Sequence, residues 1–328
     1  MDLFGLEKRC FQPNSRLALA LSLCLPLACG GAPGPPRSSG SAAPTTSDTI
    51  ITPPASNARR YIIGGDSRDD RANVVAWAFR QSRVRGASAF IFLGDMELTP
   101  ELDGHFSEEL RILDPMPFFP VVGNHEVRMF GGLSFNSRHS KKRFRARFLD
   151  NARTPVKSSL PHAVVYSVDL PGGVHFIALD NVSQKGFGQE QLDWLEQDLT
   201  SARGSPVTTH VIVGMHKPLA KNPISIHCMS EDGDSAMKDS AAALEIMMRH
   251  RVSLIVASHL HQFARFMQGD IPSYITGGLG APLTNAGPDH AFHHFLQVDV
   301  TDEALRVDVV RFPGLSVIGA GDDDDDDD

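Results

Sequence analysis

The sequence predicts an α/β fold in which two packed sheets lie between outer helices, and three observations carry that expectation. Short apolar runs at 61–66, 89–95, 118–125, 211–216 and 254–261 each end at a glycine or a small polar residue followed by a carboxylate, amide or imidazole. Such runs read as buried strands opening into loops. The early runs are separated by stretches long enough for a helical crossover between parallel strands. The later ones, at 271–276, 295–300 and 305–310, are joined by shorter, turn-rich segments.

Taken in order, residues 61–64 form the first expected strand, and Val74, Val75, Trp77 and Ala78 follow at helical spacing. The strand that stops at Gly94-Asp95 comes next, then a loop over 96–104 and a short helix over 105–113. A further apolar stretch, 115–122, leads into Gly123-Asn124-His125-Glu126. Within the irregular region 128–161, a helix is expected over 141–150, where Phe144 and Phe148 share a face. The runs 164–169 and 174–179 flank Leu170-Pro171-Gly172-Gly173, a turn-forming separator that implies a hairpin. Residues 189–200 form a clear helix with Leu192, Leu195 and Leu199 on one stripe. The β-branched run 207–213 leads to His216, a long loop spans 217–240, and a helix then passes through Leu244, Met247 and Met248. Ile255 and Val256 precede Ser258-His259-Leu260-His261, and Gly277-Gly278-Leu279-Gly280 makes a tight connection near the same place.

With 328 residues, 41% of them hydrophobic, the chain builds a substantial core, as one large domain or two. The net charge of -8 is misleading, because seven aspartates at 322–328 account for nearly all of it. The rest is close to neutral and carries no electrostatic footprint for nucleic acid. Residues 1–29 read as an export signal: Lys8, Arg9 and Arg16 precede an apolar run at 17–27, too short for a membrane span. Pro26-Leu27-Ala28-Cys29 resembles a bacterial lipoprotein acylation site, which would place the protein in the periplasm or at the outer membrane on a lipid at Cys29; the alternative is an ordinary signal peptide cut nearby. Residues 30–58, rich in Gly, Pro, Ser, Ala and Thr, read as a disordered tether. The folded domain is expected over 59–315, with a disordered acidic tail at 316–328. Beyond the signal only Cys228 remains, so no intramolecular disulfide is expected.

The strand ends supply Asp66, Asp95, Asn124, His216, His259 and His261, a donor set that suits zinc, iron or manganese. Asp95 is the natural bridge, since one carboxylate touches two ions roughly 3.5 to 4 Å apart. Any one of these residues alone would be unremarkable in a chain with 14 histidines; the repetition of the pattern is what carries weight. His227 and Cys228 in the long loop read as surface residues or as the lining of a pocket, and His290, His293 and His294 as rim or surface residues.

In order and spacing, Asp66, Gly94-Asp95, Gly123-Asn124-His125-Glu126, Gly214-Met215-His216 and Ser258-His259-Leu260-His261 resemble the signature of the calcineurin-like metallophosphoesterases, with the purple-acid-phosphatase-like branch nearest. The resemblance implies a four-layer α/β/β/α sandwich with two mixed sheets, and two divalent or trivalent metal ions (Fe, Zn or Mn). One ion would be held by Asp66, Asp95 and His261, the other by Asp95, Asn124, His216 and His259. It further implies attack on phosphorus by a hydroxide held between the metals, with His125 protonating the leaving oxygen. Glu126 is expected to orient that imidazole or to lie just behind it.

Two positions depart from the family pattern. Arg68 stands where many members carry a histidine ligand, and Leu98 where purple acid phosphatases carry a tyrosine. A guanidinium is no metal ligand. Arg68 therefore either forks onto a phosphate oxygen or pairs with Asp69, Asp70 or Glu97 and shapes its loop. The implied activity is phosphate ester hydrolysis on a phosphorylated small molecule or phosphoprotein, monoesters favoured. The alternatives are a phosphodiesterase of the same fold and a weakly active or inactive tethered binding protein.

Overall fold

The computed structural model describes residues 57–315 except 71, 97–99, 129–136, 151–155, 162, 183–184 and 226. The expected export segment, the tether up to residue 56, Glu97, Leu98 and the acidic tail lie outside the described residues.

The chain opens with β1 (Arg59–Gly64), α1 (Val74–Val84), β2 (Ala89–Phe92), α2 (Pro100–Leu110), β3 (Phe118–Pro120) and a single turn, α3 (Asn124–Arg128). It continues through α4 (Ser137–Phe144), β4 (Ser158–Ser159), β5 (Tyr166–Leu170), β6 (Val174–Ala178), α5 (Gly188–Gly204) and β7 (His210–Gly214). A 3-10 turn (Met229–Asp232) precedes α6 (Asp234–Arg249), and β8 (Leu254–Ala257), β9 (Phe263–Gln268), β10 (Ile271–Thr276), β11 (His294–Val300) and β12 (Leu305–Arg311) complete the domain.

These strands form two mixed sheets. The first runs β12-β11-β1-β2-β3 and the second β4-β5-β6-β7-β8-β10-β9. β1, β2 and β3 are parallel neighbours, as are β6, β7 and β8, because α1, α2, α5 and α6 supply crossovers. The β5–β6 hairpin is antiparallel, with Leu170 opposite Val174, as its Pro-Gly-Gly turn implies.

Side-chain alternation assigns the layers. On β7, Ile212 joins the larger core with Phe90, Tyr166 and Phe176, while Val211 and Val213 face the other way, toward Leu195, Leu199 and Met247 of α5 and α6. Val74, Val75, Ala78 and Phe79 of α1 cover the first sheet. Strands buried on both faces read as continuous apolar runs, which is why Tyr61-Ile62-Ile63 and Phe90-Ile91-Phe92 show no alternation in sequence. Two sheets between helices, the expected architecture, is the architecture observed.

Local differences have local causes. α2 begins at Pro100, so part of the loop expected over 96–104 is helical; proline fits the first helical turn, where its missing N–H costs nothing. Helix α4 starts at Ser137 and passes into a π-helical turn (Arg145–Leu149), four residues earlier than the expected start at 141. α6 likewise starts at Asp234, within the expected loop. β9 is an element the sequence reading did not expect: its apolar residues, Phe263, Ala264, Phe266 and Met267, are interrupted by Arg265 and keep no strict alternation.

Candidate metal centre

The loops that leave β1, β2, β7 and β8 converge at one end of the sheets, where open α/β sheets place their ligands. Their backbone is unusual. Asp66, Arg68, Asp95 and His259 have φ of 60°, 48°, 60° and 69°, a left-handed conformation that side-chain-bearing residues seldom adopt. Strain of this kind persists only where surrounding contacts impose it, and it clusters at functional sites. Here the contacts are visible: Asp66 N donates to Gly94 O at 3.0 Å, and Ser67 N and Arg68 N both donate to Asp95 O, at 3.1 and 3.2 Å. Gly123 is required by proximity, since a Cβ there would overlap the Asp95 backbone and carboxylate.

Every expected ligand arrives in this region. Asp66 is fully buried; its Oδ2 accepts from the Ser258 hydroxyl and from His259 N (2.8 Å), and its Oδ1 has no hydrogen-bond partner among the described residues. His261 Nε2, 3.8 Å from that Oδ1, is likewise buried without a hydrogen-bond partner, while its Nδ1 donates to Pro282 O at 2.9 Å. His216 repeats the pattern: Nδ1 donates to Leu93 O at 2.8 Å, and Nε2 points at Asn124 Oδ1 (2.8 Å) and Asp95 Oδ2 (3.3 Å). A carbonyl on one ring nitrogen leaves the other to ligate, the usual outer support of a metal-bound imidazole. Asp95, His216 and His259 offer donor atoms all within 4.8 Å of one another. Two orphaned atoms facing each other beside a compact N,O set are what a pair of cations would satisfy, so the residues present fit the expected group.

The electrostatics agree. Burial raises the Asp66 carboxyl above its ordinary pKa, against the pull of His216 and His261. Burial pushes Asp95 the same way, but the His216 and His125 imidazoles hold it well below the usual carboxylate range. Burial lowers His216, yet the Asp95 and Asp66 carboxylates overcome this and raise it to about 9. Such mutual dependence among buried groups is the mark of a site rather than of a packing core.

The three expected catalytic residues fare differently. His125 donates its backbone N–H to Asp95 Oδ1 at 3.0 Å, and its ring stands at the solvent-facing side of the cluster with Nε2 3.9 Å from Asp95 Oδ2. Arg68 reaches the same ring, its Nη1 donating to His125 Nε2, a contact inside the site. Of the two places expected for Glu126, its carboxylate takes the one behind the site: Oε2 accepts from Asp95 N (2.9 Å) and Gly123 N (2.7 Å), and Oε1 from Met96 N (2.7 Å). Burial and the nearby Asp95 charge raise it to about 7. Glu126 is thus a clamp on the backbone that carries Asp95.

Sequence reasoning missed the Ser258 hydroxyl as the group that orients Asp66. It also misplaced two other residues. His293 and His294 are fully buried, not at the rim, with ring bonds to Gly278 O (3.2 Å) and Thr276 Oγ1 (3.1 Å); His290 stays exposed. Cys228 is fully buried, and His227 lies against His259 with ring centroids 6.3 Å apart, so this loop is not an ordinary surface loop. A helical spacing of His227 and Glu231 was the available signal.

The family profile described as calcineurin-like phosphoesterase matches residues 46–263. Purple acid phosphatase 21 of Arabidopsis thaliana is 26% identical over 223 residues, covering 66% of this chain and 46% of that protein. The chain therefore spans about half the length of the curated relatives it matches. Among solved structures, the purple acid phosphatase PPD1 from yellow lupin seeds superposes with a TM-score of 0.59 at 15% identity, covering 79% of this chain and 52% of that one. GAP50, the anchor in the inner membrane complex of Plasmodium, superposes at 0.55 and 15% identity, covering 80% and 87%. With a match this long, and with the ligand-type side chains gathered at the strand ends, this chain is a member of the calcineurin-like phosphoesterase family.

Proposed function

We propose that this protein hydrolyses phosphate esters, with monoesters favoured, at a pair of metal ions. Asp66, Asp95 and His261 hold one ion, and Asp95, Asn124, His216 and His259 hold the other. The observation that carries the reading is the pair of buried, orphaned atoms, Asp66 Oδ1 and His261 Nε2, 3.8 Å apart beside the Asp95–His216–His259 group. When bound, paired cations offset phosphate charge and lower the pKa of water.

The chain's own side chains do the rest. Asn124 fixes its amide oxygen on the His216 side, and Glu126 holds the Asp95 loop rigid beneath it. Arg68 donates to His125 Nε2, so that nitrogen is an acceptor while the contact lasts. An arriving phosphate draws the guanidinium onto its oxygens, a stronger charge-assisted bond. His125 Nε2 is then released to carry the proton delivered to the leaving oxygen. A substrate dianion engages Arg68 better than a monoanion, which favours a monoester, small or on a protein. Export and lipid attachment at Cys29 form part of the proposal and rest on the leader alone; the mass of the amino-terminal peptide checks them.

A second reading, a tethered binding protein without turnover, is favoured by Arg68 standing where a histidine ligand is usual. Metal analysis of the purified protein, run with hydrolysis of an aryl phosphate monoester and diester, separates the two. Two bound ions with metal-dependent hydrolysis, mostly lost in a folded Asn124→Ala variant, support the enzyme. Undiminished turnover in Asn124→Ala, or no turnover with both ions bound, overturns it.

A further inference from the structure

Away from the centre, charge is distributed unevenly. Apart from the seven aspartates at 322–328 the chain is close to neutral, yet six of the ten residues 138–147 are Arg or Lys and none is Asp or Glu. We propose that the outer face of α4, through Lys142 and Arg143, is the docking surface for the chain's own aspartates at 322–328, folded back past the mouth of the centre.

The helix divides into a fixed side and an open one. Phe144 and Phe148 are buried with ring centroids 5.0 Å apart, and Phe148 lies 5.9 Å from the Phe118 ring of β3. Arg147 Nη2 donates to Ser107 Oγ of α2 at 2.8 Å. Lys141 Nζ stands 3.6 Å from Asp180 Oδ2, and Arg145 Nη2 3.4 Å from Asp150 Oδ1, so these two cations already meet an acid. Lys142 and Arg143 are exposed, and neither makes a hydrogen bond or ion pair among the described residues. Two adjacent cations on a helix anchored from behind make a positive edge that holds its shape, and a nearby anion relieves their mutual repulsion.

Topology brings the acidic segment to this edge. β12 runs in the direction of β1, since both are antiparallel to β11, with Leu296 opposite Ile63 and His294 opposite Arg311. The chain therefore leaves β12 at the end of the sheet where Asp66 follows β1. Lys141 meets Asp180, two residues past β6, and β6 is level with β7, which leads to His216. The departure point and the basic face thus lie at the same end of the sheets. From β12 to β3 the first sheet spans four strand spacings, roughly 19 Å. Seven residues beyond 315 reach the first aspartate with up to about 23 Å of chain, and all thirteen reach about 43 Å. A connection this short holds linked groups at an effective concentration on the order of millimolar, where individually weak surface ion pairs become populated. That advantage favours the chain's own aspartates over an acidic partner free in solution.

The test reads the contact itself and needs neither turnover nor a bound ion, so it stands or falls apart from the proposed function. The full chain is treated with a carbodiimide, which joins a carboxylate to an adjacent amine, and is then digested for mass spectrometry. Salt is held at about 0.01 M and then raised to about 1 M, which shortens electrostatic reach from roughly 30 to 3 Å. The expected result is a joined pair of Lys142 and the 322–328 segment within the monomer, lost at the higher salt. Absence of that pair at low salt overturns the docking. So does its appearance only in covalent dimers, where a second copy would be the occupant. A fluorescent hepta-aspartate peptide probes the surface from the other side. By anisotropy it should bind a full-length variant whose seven aspartates are replaced by asparagine (Asp322→Asn to Asp328→Asn), and bind the wild type far less, because the surface is already covered. Adding Lys142→Gln and Arg143→Gln to the asparagine variant should abolish that binding; equal binding with and without them overturns the site. Vesicles containing phosphatidylglycerol test the other occupant. If wild type and asparagine variant sediment equally with them, and the two glutamine substitutions undo this, the face belongs to a membrane and the docking is overturned.

Discussion

At the scale of single residues, Arg68 stands against the proton-carrying imidazole of the proposed mechanism. Its guanidinium donates to His125 Nε2 and has no capacity to ligate a metal. Arg68→Ala is therefore expected to lower kcat/KM for a phosphate monoester by roughly 10- to 150-fold, the worth of a charge-assisted hydrogen bond of about 1.5 to 3 kcal/mol. Arg68→Lys should recover only part of it, because the planar fork is lost. Steady-state kinetics on both variants check this, with the diester less affected. Asp66 is instructive in another way. Ser258 and His259 N occupy its Oδ2, so under the proposed function it would have one oxygen to offer an ion and would act as a terminal ligand, with the bridge left to Asp95. His216 gives a pH signature. Its pKa in the fold, about 9, lies above the ordinary 6.5, so the stability it lends the metal-stripped protein is complete below pH 6.5 and is lost as pH rises through 9. Denaturation midpoints of chelator-treated protein should fall across that window, and His216→Asn should flatten the trend.

At the scale of elements, the short α3 turn does more than its length suggests. Asn124, His125 and Glu126 occupy three successive positions that face His216, the solvent side of the site and the Asp95 backbone in turn. Glu126→Ala strips three buried N–H groups of their acceptor. A buried donor left unsatisfied costs about 1 to 3 kcal/mol, and the variant should lose at least about 3 kcal/mol in urea unfolding together with most of its metal affinity. This element also shows what a sequence can and cannot disclose. Asn124 and His125 were legible because their residue types are those of ligands and proton donors, and because they follow an apolar run. The clamp role of Glu126 was not, since it depends on where the β2 loop turns. The same limit hid β9, whose apolar run is broken by Arg265, and mislaid His293 and His294, whose polar rings are buried and find their partners in Gly278 O and Thr276 Oγ1. Strands with two covered faces, such as β1 and β2, announced themselves by unbroken apolar runs.

At the scale of the whole domain, the proposed ligands come from both sheets: Asp66, Asp95 and Asn124 follow strands of the first, His216, His259 and His261 strands of the second. Bound ions would tie one sheet to the other at that end, so their removal should be felt globally. Stabilisation by a ligand grows as RT ln(1 + [L]/Kd), about 2.7 kcal/mol at a hundredfold excess over Kd. Chelation is expected to lower Tm by several degrees and readdition of Zn2+ or Mn2+ to restore it, as scanning calorimetry would record. The margins of the two sheets carry one last consequence. β3 has three residues and ends in Pro120, β4 has two, and the longer outer strands β9 and β12 carry Arg265 and the charges of Arg306, Asp308 and Arg311. Brevity, proline and charged borders each discourage recruitment of a foreign strand, so neighbouring molecules can crowd together without their ladders fusing into a common fibre.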